Sequence, residues 1–168
     1  MRVVVADGDW ALVECAVVAD GSSPADAFLK ELGEGTWEGD PADEPPSDEQ
    51  VHDAFKLVSS ITHFAQNGVP PYRTAVNDLN EGIWEFKFSN KRVSFFDTSG
   101  DGNFTPKYRV RTKSEAVDPE HEFWWFPEFD ETVRLGHCFL KSGQQADPHD
   151  IAETLRTRTE DLEHDKHP

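Results

Sequence analysis

The sequence predicts an α+β fold: a small antiparallel sheet packed by about three helices, formed by a single domain over residues 1–168. Three observations predict it. Residues 82–96 read as an aromatic β-hairpin. Three helix starts combine a cap with apolar residues at helical spacing. Apolar runs at 10–18 and 132–141 have the composition of core strands. Between the hairpin and the last strand, residues about 99–131 read as an inserted β and aromatic segment.

At 168 residues the chain is long enough for a real core, and 12 Phe and five Trp supply large apolar side chains. Residues 3–5 and 10–18 read as strands around an Asp7-Gly8 turn, a standard hairpin signal. The second run is apolar on both faces apart from Glu14, so it is expected inside the sheet. Ser23 then caps a helix with Pro24 at its first position and Asp26 near the positive end of its dipole. Ala25, Phe28, Leu29 and Leu32 form its expected buried stripe, and Gly33 ends it.

Residues 35–46 are acidic and rich in Gly and Pro, which marks a loop. Ser47-Asp48-Glu49-Gln50 resembles a capping box, and Val51, Ala54, Phe55, Val58 and Ile61 follow at helical spacing. That helix is expected to end near Gln66, before Asn67-Gly68 and Pro70-Pro71. Asp147-Pro148 opens the last helix, with Ile151, Ala152, Leu155 and Leu162 along one side and a frayed tail from His164.

In the hairpin, a loop at Ser89 and Asn90 sets Phe86 opposite Val93 and Trp84 opposite Phe95. The other face carries Glu85, Lys87, Arg92 and Ser94, with Lys87 directly opposite Arg92. Like charges placed opposite each other destabilise a ladder. A sheet that accepts this pair either has Glu85 close by or expects an anion. The aromatic face fixes the register, since a one-residue slip would turn it outward.

In the inserted segment, residues 97–103 are an oxygen-rich turn that lacks the twelfth-position acid of a calcium loop. Residues 106–113 alternate strictly, so Lys107, Arg109, Arg111 and Lys113 would line one face of a strand. A four-residue basic row binds phosphates, or pairs with the surplus acids of the chain. Phe123, Trp124, Trp125, Phe126 and Phe129 read as rings that pack the insertion onto the body.

The formal net charge is −17 and is uneven. Residues 1–50 hold 13 acids against Arg2 and Lys30, whereas residues 51–113 hold 6 acids and 9 bases. In rank order the acidity reads as solubility or an acid-rich host proteome, as a docking face for a basic protein partner, or as nucleic-acid mimicry. No run of about 18 apolar residues marks a membrane span, and the acidic start MRVVVADGDW is not a signal peptide. Cys15 and Cys138 match no metal or redox spacing. A cytoplasmic protein with reduced thiols, no metal and no cofactor is expected. No nucleophile elbow, P-loop, dinucleotide fingerprint or zinc motif is present. His137 stands out among seven scattered histidines, because it lies in a core strand close to Lys141; taken by itself it reads as a histidine satisfied by a hydrogen bond inside the sheet.

Three local motifs occur in order: Gly82-Ile83-Trp84-Glu85-Phe86-Lys87, then Arg92-Val93-Ser94-Phe95, then Leu135-Gly136-His137-Cys138-Phe139-Leu140-Lys141 with Gln144 or Gln145 and Pro148. With the preceding strand and two helices, this order resembles the RelE/HigB-like toxins, in particular the phage-derived branch, over roughly residues 10–98 and 132–163. Lys87 stands where that pattern has arginine, and Ser142 where it has a second lysine. The resemblance implies a type II toxin neutralised by a helix-turn-helix antitoxin and cutting messenger RNA on the ribosome. It implies metal-independent cleavage by 2′-hydroxyl attack. His137 is then the proton carrier, as a histidine titrating near neutrality suits that role. Arg92, Lys141 and Lys87 would clamp the phosphate, and Glu85 would orient a base or relieve the Lys87–Arg92 repulsion. Arg73 would be a further RNA-binding cation beside the basic row. The alternative is a non-catalytic acidic interaction protein on the same fold.

Overall fold

A computed structural model describes residues 1–110, 113–117, 120, 125–141 and 143–168, with Lys113 as backbone only. Arg111, Phe123, Trp124, Ser142 and the side chain of Lys113 lie outside the described residues. The fold is α+β, an open six-stranded sheet packed by three helices. The strands are β1 (Val4–Asp7), β2 (Leu12–Cys15), β3 (Val76–Asp78), β4 (Trp84–Phe88), β5 (Lys91–Thr98) and β6 (Thr132–Leu140). The helices are α1 (Pro24–Glu34), α2 (Asp48–Asn67) and α3 (Pro148–Lys166). The spatial order is β1-β2-β6-β5-β4-β3, antiparallel throughout except for β2 beside β6. Among the described residues no helix is long and apolar enough to cross a membrane.

The hairpin has the expected register: Trp84 pairs with Phe95, Phe86 with Val93 and Lys87 with Arg92. Its aromatic face turns toward α1 and α2. Phe86 stacks on Phe95 at 4.4 Å, and Phe64 of α2 meets both rings. Phe126 and Phe129 of the inserted segment complete this cluster, each within 6 Å of Phe64 and Trp84. Phe126 and Phe129 of the insertion therefore belong to the main core. The opposite face of the sheet is covered by α3, where Phe96, Ile83 and Ala16 meet Ile151, Leu155 and Leu162.

Six expectations need correction. Ser23 precedes α1 without a side-chain cap hydrogen bond, and the helix runs past Gly33 to Glu34, where Gly35 ends it in the left-handed conformation. Residues 103–110 form no strand, although they alternate. Both neighbours of β5 are occupied by β4 and β6, β3 covers the far edge of β4, and Pro106 lacks an N–H. In α2, Val51 and Phe55 are exposed, at 43% and 67%, while Leu57, Ile61 and Phe64 are buried. The helix is rotated because two buried polar anchors set its face. Asp53 pairs with Lys91 at 2.9 Å, and Gln50 bonds both backbone atoms of Trp37. In α3, Ile151, Leu155 and Leu162 pack on the sheet as expected, but Ala152 is exposed and the fully buried residues are Thr154, Thr157 and Asp161. That helix also continues to Lys166 instead of fraying at His164.

The reason for the last two lies on the sheet. Arg134 of β6 is buried at the centre of the α3-facing side. It donates to Glu14 at 2.7 Å, to Asp161 at 2.7 Å and to Asp165 at 3.1 Å. Arg2 joins the same group through Asp161 and Asp165, and the Val17 amide donates to Asp161 at 2.8 Å. Asp165 thereby holds the last turn of α3 down. Removing one member leaves buried, unmatched charge, which typically costs about 3–5 kcal/mol. Arg134→Met is expected to lower the unfolding free energy in urea by that amount. Lys30→Ala, which breaks the exposed pair with Asp26, is expected to change it by at most about 0.5 kcal/mol.

Candidate functional site

Alternation along β4 and β5 carries Glu85, Lys87, Arg92 and Ser94 to the α3 side. On β6 the register with β5 shifts between Val93 and Phe95, so that Gly136 and His137 together oppose Ser94. Ser94 donates its hydroxyl to the His137 carbonyl at 2.8 Å, and this bulge puts His137 on the same face as Phe139. Lys141 is brought to the hairpin turn by its own amide, which donates to Asn90 O at 2.8 Å.

Glu85, Lys87, Arg92 and Lys141 thus converge on one pocket, closed by Phe139, Gln144, Gln145 and the first turn of α3. It is small, about 30 Å³, room for about one water. Glu85 and Arg92 form its floor, only 4% and 5% exposed, while Lys141 stands exposed at the rim. Arg92 gives Nη1 to the carbonyls of Ser89 and Lys91, both at 2.8 Å, and its Nε lies 3.5 Å from Glu85 Oε1. Asn77 donates to the same carboxylate oxygen at 3.3 Å. Arg92 Nε and Glu85 Oε2 are buried with no hydrogen-bond partner, an arrangement that costs free energy unless a ligand or water completes it.

The electrostatics follow from this burial. Desolvation raises the Glu85 carboxyl above its ordinary value, although Arg92 and Asn77 pull the other way. Desolvation lowers the Lys87 ammonium, and the facing Arg92 charge lowers it further. Desolvation also lowers Arg92, against the pull of Glu85. An anion at the rim would counter the losses at both cations.

His137 does not line the pocket but borders it. Its Nε2 lies 2.8 Å from Asp150 Oδ1, and its ring stacks on Phe139 at 5.3 Å. A carboxylate only accepts, so Nε2 carries the hydrogen and Nδ1 of the neutral ring keeps the lone pair. Asp150 is the third residue of α3 and also lines the pocket. Sequence reasoning missed Asp150 and Asn77. The only signal for Asp150 was its place three residues after the Asp147 cap; Asn77 carries none.

The remaining predicted cations lie elsewhere. Lys107 turns inward onto Asp97 and Asp130, at 3.0 and 3.3 Å. Arg73 and Arg109 line a separate cleft that shares Lys87 and Asn77 with the pocket. Among the described residues no group of three His, Cys, Asp or Glu is placed to hold a metal ion. Burial pushes the Cys15 thiol up to about 12 and Cys138 well above its ordinary value, so neither is a nucleophile at neutral pH. No protein-family model matches the chain, and no curated protein sequence matches it.

The raised Glu85 carboxyl has a definite sign in stability. Between the ordinary carboxylate pKa and the raised value, the folded chain binds more protons there than the unfolded chain, so stability falls as pH climbs through that interval. Glu85→Gln removes this contribution. Urea unfolding over a pH series should show the variant gaining on the wild type through the interval and a constant difference above it. A difference independent of pH would contradict the burial of an ionisable Glu85.

Proposed function

We propose that this protein is a RelE/HigB-like toxin that cuts RNA at the mouth of the Lys87–Arg92–Lys141 pocket. The supporting observation is the convergence of three cations and Glu85, carried by β4, β5 and the end of β6, beside the His137–Asp150 pair. Cleavage of an RNA phosphodiester needs a base for the 2′-hydroxyl, cations for the crowded phosphorane and an acid for the leaving oxygen. The phosphate sits at the rim, against Lys141 and Lys87, with the Arg92 charge below. His137 Nδ1 accepts the 2′-hydroxyl proton as the O2′–P bond forms. The P–O5′ bond breaks, and the 5′ oxygen takes up a proton from water at the exposed rim. The products are a 2′,3′-cyclic phosphate and a 5′-hydroxyl. Asp150 fixes the ring and supports its charged form, as an orienting carboxylate does in other histidine-dependent sites. A helix-turn-helix antitoxin and ribosome-bound messenger RNA are the partners this reading names.

A second reading is a non-catalytic interaction protein that docks a basic partner. The observation favouring it is the net charge of −17, which repels RNA at long range, together with the inward pairing of Lys107. It predicts capture of a basic protein that raised salt releases, and no RNA cleavage. Deleting the insertion is not a usable test, since Phe126 and Phe129 belong to the core.

Expression of the intact chain in a bacterium should arrest growth. His137→Ala and Lys141→Ala should relieve the arrest, and His137→Ala should slow cleavage by roughly 10²- to 10⁴-fold. These positions are preferable to Arg92, which is buried and bonded to the hairpin turn. Unimpaired growth with abundant soluble protein would remove the toxin reading.

A further inference from the structure

The cleft that holds Arg73 and Arg109 lies at the outer edge of β3 and β4 and encloses about 430 Å³. This is within the roughly 300–1,000 Å³ of small-ligand sites. Three cations, Arg73, Lys87 and Arg109, meet the half-buried ring of Trp125, with Trp84 and Phe126, 2% and 5% exposed, as the core behind it. Arg73 comes from the turn before β3 and Lys87 from β4; Arg109, Trp125 and Phe126 come from the insertion. The wall they form is braced. Trp84 Nε1 donates to Lys107 O at 2.9 Å, and the Val110 amide donates to Trp125 O at 3.0 Å. Phe126 stands edge-on to Trp84 at 5.3 Å. Lys107 is tied to Asp97, so Arg109 projects two residues from a fixed point.

Acids outnumber Lys and Arg by 33 to 16 in this chain. Yet Arg73 and Arg109 are exposed and, among the described residues, have no ion-pair partner. Two unmatched guanidinium groups beside the Trp125 ring complement a ligand that is flat and apolar at one end and anionic at the other. A nucleotide of a single strand has that form, since its base stacks on rings and its phosphates pair with arginine. A base inside a duplex is stacked on its neighbours and cannot use the wall.

We propose that this cleft binds an unpaired nucleotide of an RNA strand, which then passes Lys87 to reach the rim at Lys141. The identity of the strand as RNA rests on the function proposed above, but the test reads binding and not cleavage. A fluorescently labelled eight-nucleotide single-stranded RNA is titrated with the full chain carrying His137→Ala, so that the strand stays whole, and anisotropy is followed at several salt concentrations. Adding Arg73→Gln and Arg109→Gln, both exposed, should weaken binding about tenfold or more. It should also make the slope of log K against log salt shallower by about 1.4, or about 0.7 for each lost phosphate contact. Trp125→Leu should weaken binding roughly tenfold with the slope unchanged, because it removes stacking and not charge. The matching RNA duplex should bind more weakly than the single strand. Unchanged affinity and slope in the double arginine variant, or equal binding of duplex and single strand, would overturn the proposal. Arginine-dependent binding without any cleavage by the native chain would sink the endonuclease and leave this cleft standing. Cleavage with arginine-independent binding would do the reverse.

Discussion

The burial of Arg134 is the constraint on which the rest of this structure depends. One guanidinium on the central strand β6 meets Glu14 of β2 and both Asp161 and Asp165 of α3. A sheet face with this much buried charge cannot be covered by a purely apolar helix, and α3 supplies carboxylates and threonines where an amphipathic helix would supply leucines. Seating α3 there has a consequence at its other end. Its first turn closes the pocket with Asp147 and Asp150, and Asp150 meets His137. The placement of the candidate proton carrier therefore traces back to carboxylates near the other end of α3.

Charge is sorted in this molecule rather than merely abundant. Lys91 is consumed by Asp53, Lys107 by Asp97 and Asp130, and Arg134 and Arg2 by the α3 carboxylates. One edge gathers several of the remaining cations: Arg73 and Arg109 in the cleft, Lys87 between, then Lys141, with Arg92 held over Glu85. Glu85 is the one buried acid among them, and desolvation weakens its hold on charge. A strongly acidic surface is compatible with an anion site when the cations of that site are kept out of internal pairs.

The hairpin was legible because its information is local. Alternation and a two-residue loop determine a register, and the aromatic face determines which register. Helix starts were legible for the same reason, as Ser47 and Asp147 both cap as expected. The parallel pairing of β2 with β6 was not, since it joins residues about 120 apart and leaves no periodic trace. The face of α2 was misread because Asp53 and Gln50 count as polar in any pattern, yet each is buried by a partner far away in sequence. The basic row failed because both sides of β5 are taken by β4 and β6 and Pro106 has no N–H to give a ladder. Three site residues, Glu85, Lys87 and Arg92, could be placed together because the register of β4 with β5 was readable; that Lys141 meets them depends on the bulged pairing of β5 with β6, which has no local signal. Asp150 and the Trp125 wall could not, because they arrive through α3 and the insertion.

The most direct measurement is on the ends left by cleavage. A messenger RNA is incubated with the protein in a translation extract, and the new termini are identified by mass spectrometry. The same RNA carrying a single 2′-deoxynucleotide at the cut position is the comparison. The account predicts 2′,3′-cyclic phosphate ends on the native RNA and no cut at the deoxy position. A 3′-hydroxyl end, a cut indifferent to the missing 2′-hydroxyl, or intact RNA in both reactions would contradict it.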